Sequence, residues 1–347
     1  DITWEKANKA DLGFDFMLWK GLFGMEFDYF YEKRNNMLVS PAAVVPAEYG
    51  IGLAQINAGI VRNHGVDFTL TSERYFSNGF AYDVNFNFTY AKNKIIEIFE
   101  NPVTRDDPNR SRTGRPIGTP FGLKALGLFQ EEDFNPDGSL KEGIPYHTFF
   151  KVAPGDIRYA DVNGDKKIDA SDETALGYPA LPQIIYGFNP NLFYKGFNLS
   201  LVFQGSGQSS IFLSQQLAYP FLTGGNVARI HKDYWRPDNT DARFPRPFGE
   251  GGNANNFQRT NNSWYKYNGA YLRLKNIEFG YTLPRDISNS LKVQNVKIYL
   301  SGQNLVTWSS LNKVIDPEMD NSAVMNNTRG WFYPHQKVIS FGLNLTL

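Results

Sequence analysis

Between residues 82 and 90 the chain reads Tyr82-Asp83-Val84-Asn85-Phe86-Asn87-Phe88-Thr89-Tyr90. Successive side chains of a strand point to opposite faces, so Tyr82, Val84, Phe86, Phe88 and Tyr90 make one greasy face and Asp83, Asn85, Asn87 and Thr89 one wet face. The chain finishes on the same pattern, with Ile339, Phe341, Leu343, Leu345 and Leu347 set against Ser340, Gly342, Asn344 and Thr346. Working outward from these two stretches, nine segments read as long alternating strands, at about 9–19, 22–34, 64–76, 80–91, 182–194, 196–205, 269–284, 294–308 and 336–347. In the seventh, the apolar set runs Leu272, Leu274 and then Ile277, Phe279, Tyr281, Leu283, so its parity switches near Lys275-Asn276 and predicts a β-bulge there.

The connections alternate as regularly as the residues. Lys20-Gly21, Ser77-Asn78-Gly79, Tyr194-Lys195-Gly196 and Pro284 to Val293 are short, whereas 35–63, 92–181, 206–268 and 309–335 are long. Strands near the ~9–11 residues that cross a bilayer, with turns on one side and loops on the other, predict an antiparallel transmembrane β-barrel. A sandwich or propeller also alternates, but its strands average about 5–6 residues. The short turns would be periplasmic and the long loops extracellular, which puts the C-terminus on the periplasmic side.

Composition agrees. Aromatic residues make up 15% of the 347-residue chain, yet the mean hydropathy is −0.41, as expected when apolar residues occupy alternate positions. The net charge of zero supplies no overall field for nucleic acid or anionic lipid. With no cysteine, a disulfide framework and thiolate metal sites are excluded. The chain starts at Asp1 without a recognisable export signal; either that signal was removed or, the favoured expectation, this is the later part of a longer polypeptide. Nine strands with two unpaired edges point the same way, because an open sheet edge cannot face lipid.

One loop carries a ligand pattern. Asp161-Val162-Asn163-Gly164-Asp165-Lys166-Lys167-Ile168-Asp169-Ala170-Ser171-Asp172 has EF-hand or dockerin-like spacing. Asp161, Asn163, Asp165, Asp169 and Asp172 fall at the oxygen-donor positions, with the Lys167 carbonyl between them. The pattern reads as a structural Ca²⁺ loop, with a solvated acidic turn as the alternative. Lys166 stands where glycine is expected, and Asp172 where the longer glutamate usually chelates.

Catalytic signatures are missing: His64, His147, His231 and His335 are scattered, and there is no nucleophile elbow or phosphate loop, so no enzyme activity is expected. The long loops are instead rich in rings. Tyr234, Trp235, Trp264 and Tyr265 in the 206–268 loop, with Trp331 and Tyr333 in the 309–335 loop, are the candidate substrate-binding residues, since such rings stack on sugars or peptide side chains. Packing of loop on loop is the alternative role for them.

Several stretches resemble the SusC-type TonB-dependent transporters of Bacteroidota outer membranes. They are Tyr234-Trp235-Arg236-Pro237-Asp238-Asn239 with Phe244-Pro245-Arg246, Tyr271-Leu272-Arg273-Leu274-Lys275-Asn276 with Gly280-Tyr281-Thr282-Leu283-Pro284, Gln303-Asn304-Leu305 with Asp316-Pro317-Glu318, and Pro154-Gly155-Asp156-Ile157-Arg158-Tyr159. The resemblance implies a barrel of about 22 strands, of which these would be the last nine. It also implies import of glycans or peptides, a SusD-type surface lipoprotein as lid, and drive from TonB through an N-terminal plug that no segment here resembles. The rest of the barrel and the lipid bilayer would be its remaining partners, with no nucleic acid among them. Two other functions stay open: an outer-membrane scaffold that holds partner proteins, and a passive porin.

Overall fold

The fold is seen in a computed structural model that describes residues 2–41, 54–221, 226–249, 262–311, 315–318 and 335–347. Nine strands form one sheet: β1 (Lys6–Leu18), β2 (Phe23–Val39), β3 (Ile56–Tyr75), β4 (Phe80–Glu97), β5 (Ile184–Tyr194), β6 (Phe197–Gly207), β7 (Tyr271–Thr282), β8 (Asn295–Ser309) and β9 (Val338–Thr346). Each pairs antiparallel with the next in sequence, so the sheet is an unbroken meander. No helix among the described residues is long and apolar enough to cross a membrane.

Register turns nine greasy strand faces into one surface. Phe14 faces Phe27, Phe27 faces Phe68, Phe68 faces Phe88 and Phe88 faces Tyr186. Farther along, Phe188 faces Phe203, Phe203 faces Leu274, and Ile298 and Leu300 face Leu343 and Phe341. Rings meet within these rows, as with Phe14 on Phe27 and Phe68 on Phe88, both at 5.1 Å between centroids. Among the described residues no protein layer covers this face: Leu12, Ile339 and Phe341 are 70%, 71% and 76% exposed. The opposite face is polar, with Thr89 donating to Asp67 (3.1 Å) and Lys297 paired with Glu278 (2.6 Å). A sheet that is greasy on one uncovered side and wet on the other is the wall of a membrane barrel.

The turns follow from local backbone chemistry. Lys195 and Gly196 have φ of 46° and 90°, the pair of left-handed residues of a type I′ hairpin, whose twist matches the flanking strands. At 76–79 the Asn78 side chain accepts from the Phe80 amide (3.0 Å) while Gly79 takes the left-handed position. The bulge lies where parity places it. Lys275 is passed over in both pairings, with Val202 opposite Asn276 and Phe203 opposite Leu274 on one side, and Leu274 opposite Val306 and Asn276 opposite Gln303 on the other. Leu272 and Leu274 therefore stay on the greasy face together with Ile277 and Phe279.

Strand ends depart from the sequence reading. The long connection expected at 35–63 is much shorter, because β2 continues to Val39 and β3 begins at Ile56. Asn35-Asn36 looks like a turn, but here it is absorbed as an irregularity with Asn36 at φ 58°, and the Asn57 side chain donates to the Asn36 carbonyl at 2.7 Å. The expected 92–181 connection likewise starts later, since β4 carries Lys92-Asn93-Lys94 up to Glu97. The loops expected at 206–268 and 309–335 each shift by a residue or two, to the intervals between Gly207 and Tyr271 and between Ser309 and Val338. A short helix, Arg285–Ser290, fills the connection after Pro284.

The buried hydrophobic core lies off the sheet. Leu123, Ile157, Tyr159, Ile168, Leu213, Trp235, Phe244 and Tyr265 form one cluster, drawn from the β4–β5 and β6–β7 connections. Those two loops fold together into a head.

Candidate functional site

Short strand pairs frame the head: Phe121–Leu123 with Glu173–Ala175, Ala125–Leu128 with Ile157–Tyr159, and Ser210–Phe212 with Lys266–Asn268. The two loops are then joined across their contact. Asp156, fully buried, receives Arg246 in a two-pronged pair at 2.8 and 3.1 Å, while the Arg246 amide donates to the Gly155 carbonyl at 2.9 Å. Beside it the Trp235 indole donates to Gln130 Oε1 at 3.0 Å and covers Gly155. A Cβ on Gly155 would lie 2.4 Å from the indole, and φ is 85° there, so both space and backbone demand glycine. Lys266 Nζ donates to the Leu176 carbonyl and Ser263 Oγ accepts from the Ala125 amide, both at 2.8 Å.

His231 closes the base of the β6–β7 loop. Its Nδ1 accepts from the Ala228 amide (3.1 Å), which leaves Nε2 as the donor to the Leu217 carbonyl (2.9 Å), and its edge meets Phe244. Burial lowers its pKa, with the Leu217 carbonyl opposing, so the neutral ring is the folded form. Burial likewise pushes the Tyr219 and Tyr265 phenols up.

The candidate cargo residues divide. Trp235 and Tyr265 are 8% and 1% exposed, and their ring faces are occupied by the head itself. Binding roles expected for these two give way to packing, since a ring already covered on its faces has none left to stack on cargo. Tyr234 and Trp264 are half-buried at the edge of the same cluster; Arg236 lies 5.0 Å over the Tyr234 ring, and the Trp264 indole donates to the Arg243 carbonyl at 3.0 Å. Trp331 and Tyr333 lie outside the described residues.

In the Asp161–Asp172 loop the chain is wound as a cation loop would be. Asp161 accepts from the Gly164 and Lys166 amides (2.7 and 2.8 Å), Asn163 from Asp165 (2.9 Å) and Asp165 from Lys167 (2.9 Å). Lys166 takes the left-handed conformation normally given to glycine, at φ 64°. Ile168 is fully buried and pairs, with Lys167, against Tyr146-His147. The Ser171 hydroxyl and amide hold the Asp169 carboxyl below its usual range, so it is ionised and suited to a hard cation. Asp172 is fully buried and accepts from Val162 (2.8 Å) and Asp169 (3.0 Å), clasping the two ends of the loop. These side chains are oxygen donors of the kind a hard cation takes, and both Asp172 oxygens already accept backbone amides from the two ends of the loop.

A second carboxylate group was not anticipated. Arg273, 2% exposed on the wet face of β7, pairs with Asp316 (2.5 Å) and Glu318 (2.9 Å) and donates to Thr307 Oγ1 (2.9 Å), and Lys275 reaches Glu318 at 2.8 Å. With His335, Asp316 and Glu318 offer ligand atoms within 4.8 Å of one another. The guanidinium and ammonium already neutralise both carboxylates, so this cluster acts as a latch that holds the β8–β9 connection against the wall. An arginine set among leucines in Leu272-Arg273-Leu274 was the available sequence signal; its partners were not deducible.

Searched against protein-family models, the chain has no match. Among curated proteins it is 30% identical to TonB-dependent receptor P3 of Formosa agariphila, over 99% of this chain and 34% of that receptor. It is 22% identical to the TonB-dependent receptor SusC of Bacteroides thetaiotaomicron, over 100% of this chain and 32% of that one. Over its whole length the chain is homologous to part of the TonB-dependent receptors, SusC among them. It spans about a third of the length of the curated relatives it matches. The fold agrees: the structure of the RagAB peptide transporter superposes with a TM-score of 0.69 at 21% identity, over 99% of this chain and 35% of that one. The nine-stranded sheet thus matches the barrel part of these receptors.

Two outcomes follow for the receptor head. Replacing Arg246 by Ala removes the two-pronged pair from the buried Asp156 carboxylate, an expected cost on the order of 3 kcal/mol; protease nicking between residues 98 and 270 of the receptor should rise at least tenfold, and unchanged resistance would contradict the pairing. For His231, a lowered folded pKa gives stability that is complete above the ordinary value of about 6.5 and is lost as pH falls from there toward the folded value. Nicking should therefore increase as pH drops through that window, and His231→Phe should flatten the dependence.

Proposed function

We propose that this chain supplies the C-terminal part of the barrel wall, and much of the extracellular mouth, of an outer-membrane importer of glycans or peptides. The observation that carries the reading is the joining of two long connections into one packed head on the rim of a lipid-facing sheet. A rigid head with half-exposed rings such as Tyr234 and Trp264 can present a fixed surface to cargo and to a lid. In this reading the lid is a SusD-type lipoprotein, TonB supplies the energy, and the C-terminus is periplasmic. The names of the relatives, TonB-dependent receptors, support import as the activity rather than catalysis. β1 and β9 each pair on one side only among the described residues. Edges facing lipid need partners, and the further length of the relatives is where the remaining strands and the plug would come from.

The Asp161–Asp172 loop is, in the same reading, a structural Ca²⁺ site. Asp161, Asn163, Asp165, Asp169 and the Lys167 carbonyl would hold the ion, which would stiffen the loop that Ile168 anchors to the head core.

Uptake of a labelled oligosaccharide or peptide by cells carrying the full-length receptor should vanish when TonB is deleted. Stable complexes with partner proteins, but no TonB-dependent uptake of any cargo, would contradict import. Calorimetric titration of the purified receptor with Ca²⁺ should give heat at or below the millimolar range, lost in Asp161→Ala; no heat over that range would remove the calcium site.

A further inference from the structure

Strands β2, β3 and β4 are the longest of the sheet, at 17, 20 and 18 residues. A bilayer needs only about 9–11 of these, so all three run well past the hydrocarbon on the side of the long connections. What the greasy face becomes along that extension follows from register. The row Phe27–Phe68–Phe88 is succeeded by Tyr29–Val66–Tyr90, then by Tyr31–His64–Lys92, and then by Lys33–Arg62–Lys94. All four rows lie on the same, outward face. Apolar residues give way to tyrosines, as in an interfacial girdle, and the tyrosines to five basic or imidazole side chains.

That last step is costly. Lys33 stands directly opposite Arg62, and Arg62 directly opposite Lys94, and like charges so placed repel. No ion pair to Lys33, Arg62, His64, Lys92 or Lys94 occurs among the described residues, although Lys9, Arg34 and Lys297 on the inner face of the same sheet do find carboxylates. Arg62 Nε and His64 Nδ1 are both shielded from solvent and have no hydrogen-bond partner there. The orphaned Arg62 Nε–H and the three aligned cations call for an acceptor that is anionic and reaches in from the lipid side.

We propose that this outward basic patch binds the phosphate-bearing headgroup of an outer-leaflet lipid. The patch sits where headgroups lie, one row beyond the tyrosines. Phosphate oxygens would separate the three facing cations and take up the Arg62 fork, which suits phosphate geometry. The lipid would thereby brace the part of the wall that rises out of the membrane beside the loop head. The inference rests on the outer-membrane reading above but not on import itself.

The test uses the full-length receptor in detergent, incubated with bisphosphorylated lipid A and examined by native mass spectrometry. The parent protein should retain the lipid. Lys33→Gln with Arg62→Gln and Lys94→Gln together should lower retention by on the order of tenfold or more, given the worth of each basic residue at an anionic surface. The charge-keeping set Lys33→Arg, Arg62→Lys and Lys94→Arg should restore most of it. Heat-dependent gel mobility reports whether each barrel is folded, and if the triple variant is not, Lys33→Gln alone carries the comparison. Equal retention by parent and variant would overturn the proposal. So would displacement of the lipid by millimolar inorganic phosphate, which would mark a site for free anions. Retention without any TonB-dependent uptake would refute import and leave the lipid site standing.

Discussion

A slip of one residue in the β2–β3 or β3–β4 pairing would send Phe27, Phe68 or Phe88 to the wet face and bring Asp28, Asp67 or Thr89 to the greasy one, and each other pairing carries the same constraint. Register is therefore the constraint on which the rest of the molecule depends. It is held by ring contacts along the apolar rows, by tight hairpins such as Lys195-Gly196, and by the Lys275 bulge, which preserves the greasy face where the sequence inserts an extra residue. Given that register, one surface meets lipid and the other lines an aqueous interior. The connections must then leave alternately at a narrow and a broad end.

The broad end is not a fringe of independent loops. Asp156 with Arg246, and Gly155 with Trp235, tie the β4–β5 connection to the β6–β7 connection, and Arg273 ties the β8–β9 connection to the wall. These contacts share a logic. A buried charge from one segment is useful only when a segment distant in sequence delivers the opposite charge, so each pair fixes which loops lie together.

Much of the wall was legible in the sequence, because period-two alternation is a local property. The bulge could be placed near Lys275-Asn276 from parity alone. Strand ends were harder: Asn35-Asn36 and Lys92-Asn93-Lys94 carry turn and loop chemistry, yet the ladder continues through them because cross-strand partners supply their hydrogen bonds. The site was less legible than the wall. Aromatic enrichment located the loops that matter but could not separate Trp235 and Tyr265, which build the head, from Tyr234 and Trp264 at its edge. Spacing found the Asp161–Asp172 loop, but not that Asp172 clasps the loop ends. Asp156–Arg246 and Arg273–Asp316–Glu318 were invisible, since nothing local specifies a partner that far away.

The lipid-facing wall can be tested by its periodicity. This chain contains no cysteine, so single cysteines introduced between Val84 and Thr89 of the receptor, against a background free of reactive thiols, can carry nitroxide labels in a bilayer. Collision rates with oxygen, which partitions into lipid, and with a water-soluble nickel chelate would then be read residue by residue. The account predicts oxygen maxima at Val84, Phe86 and Phe88 and chelate maxima at Asn85, Asn87 and Thr89. Rates that fail to alternate, or alternate in the opposite phase, would contradict it.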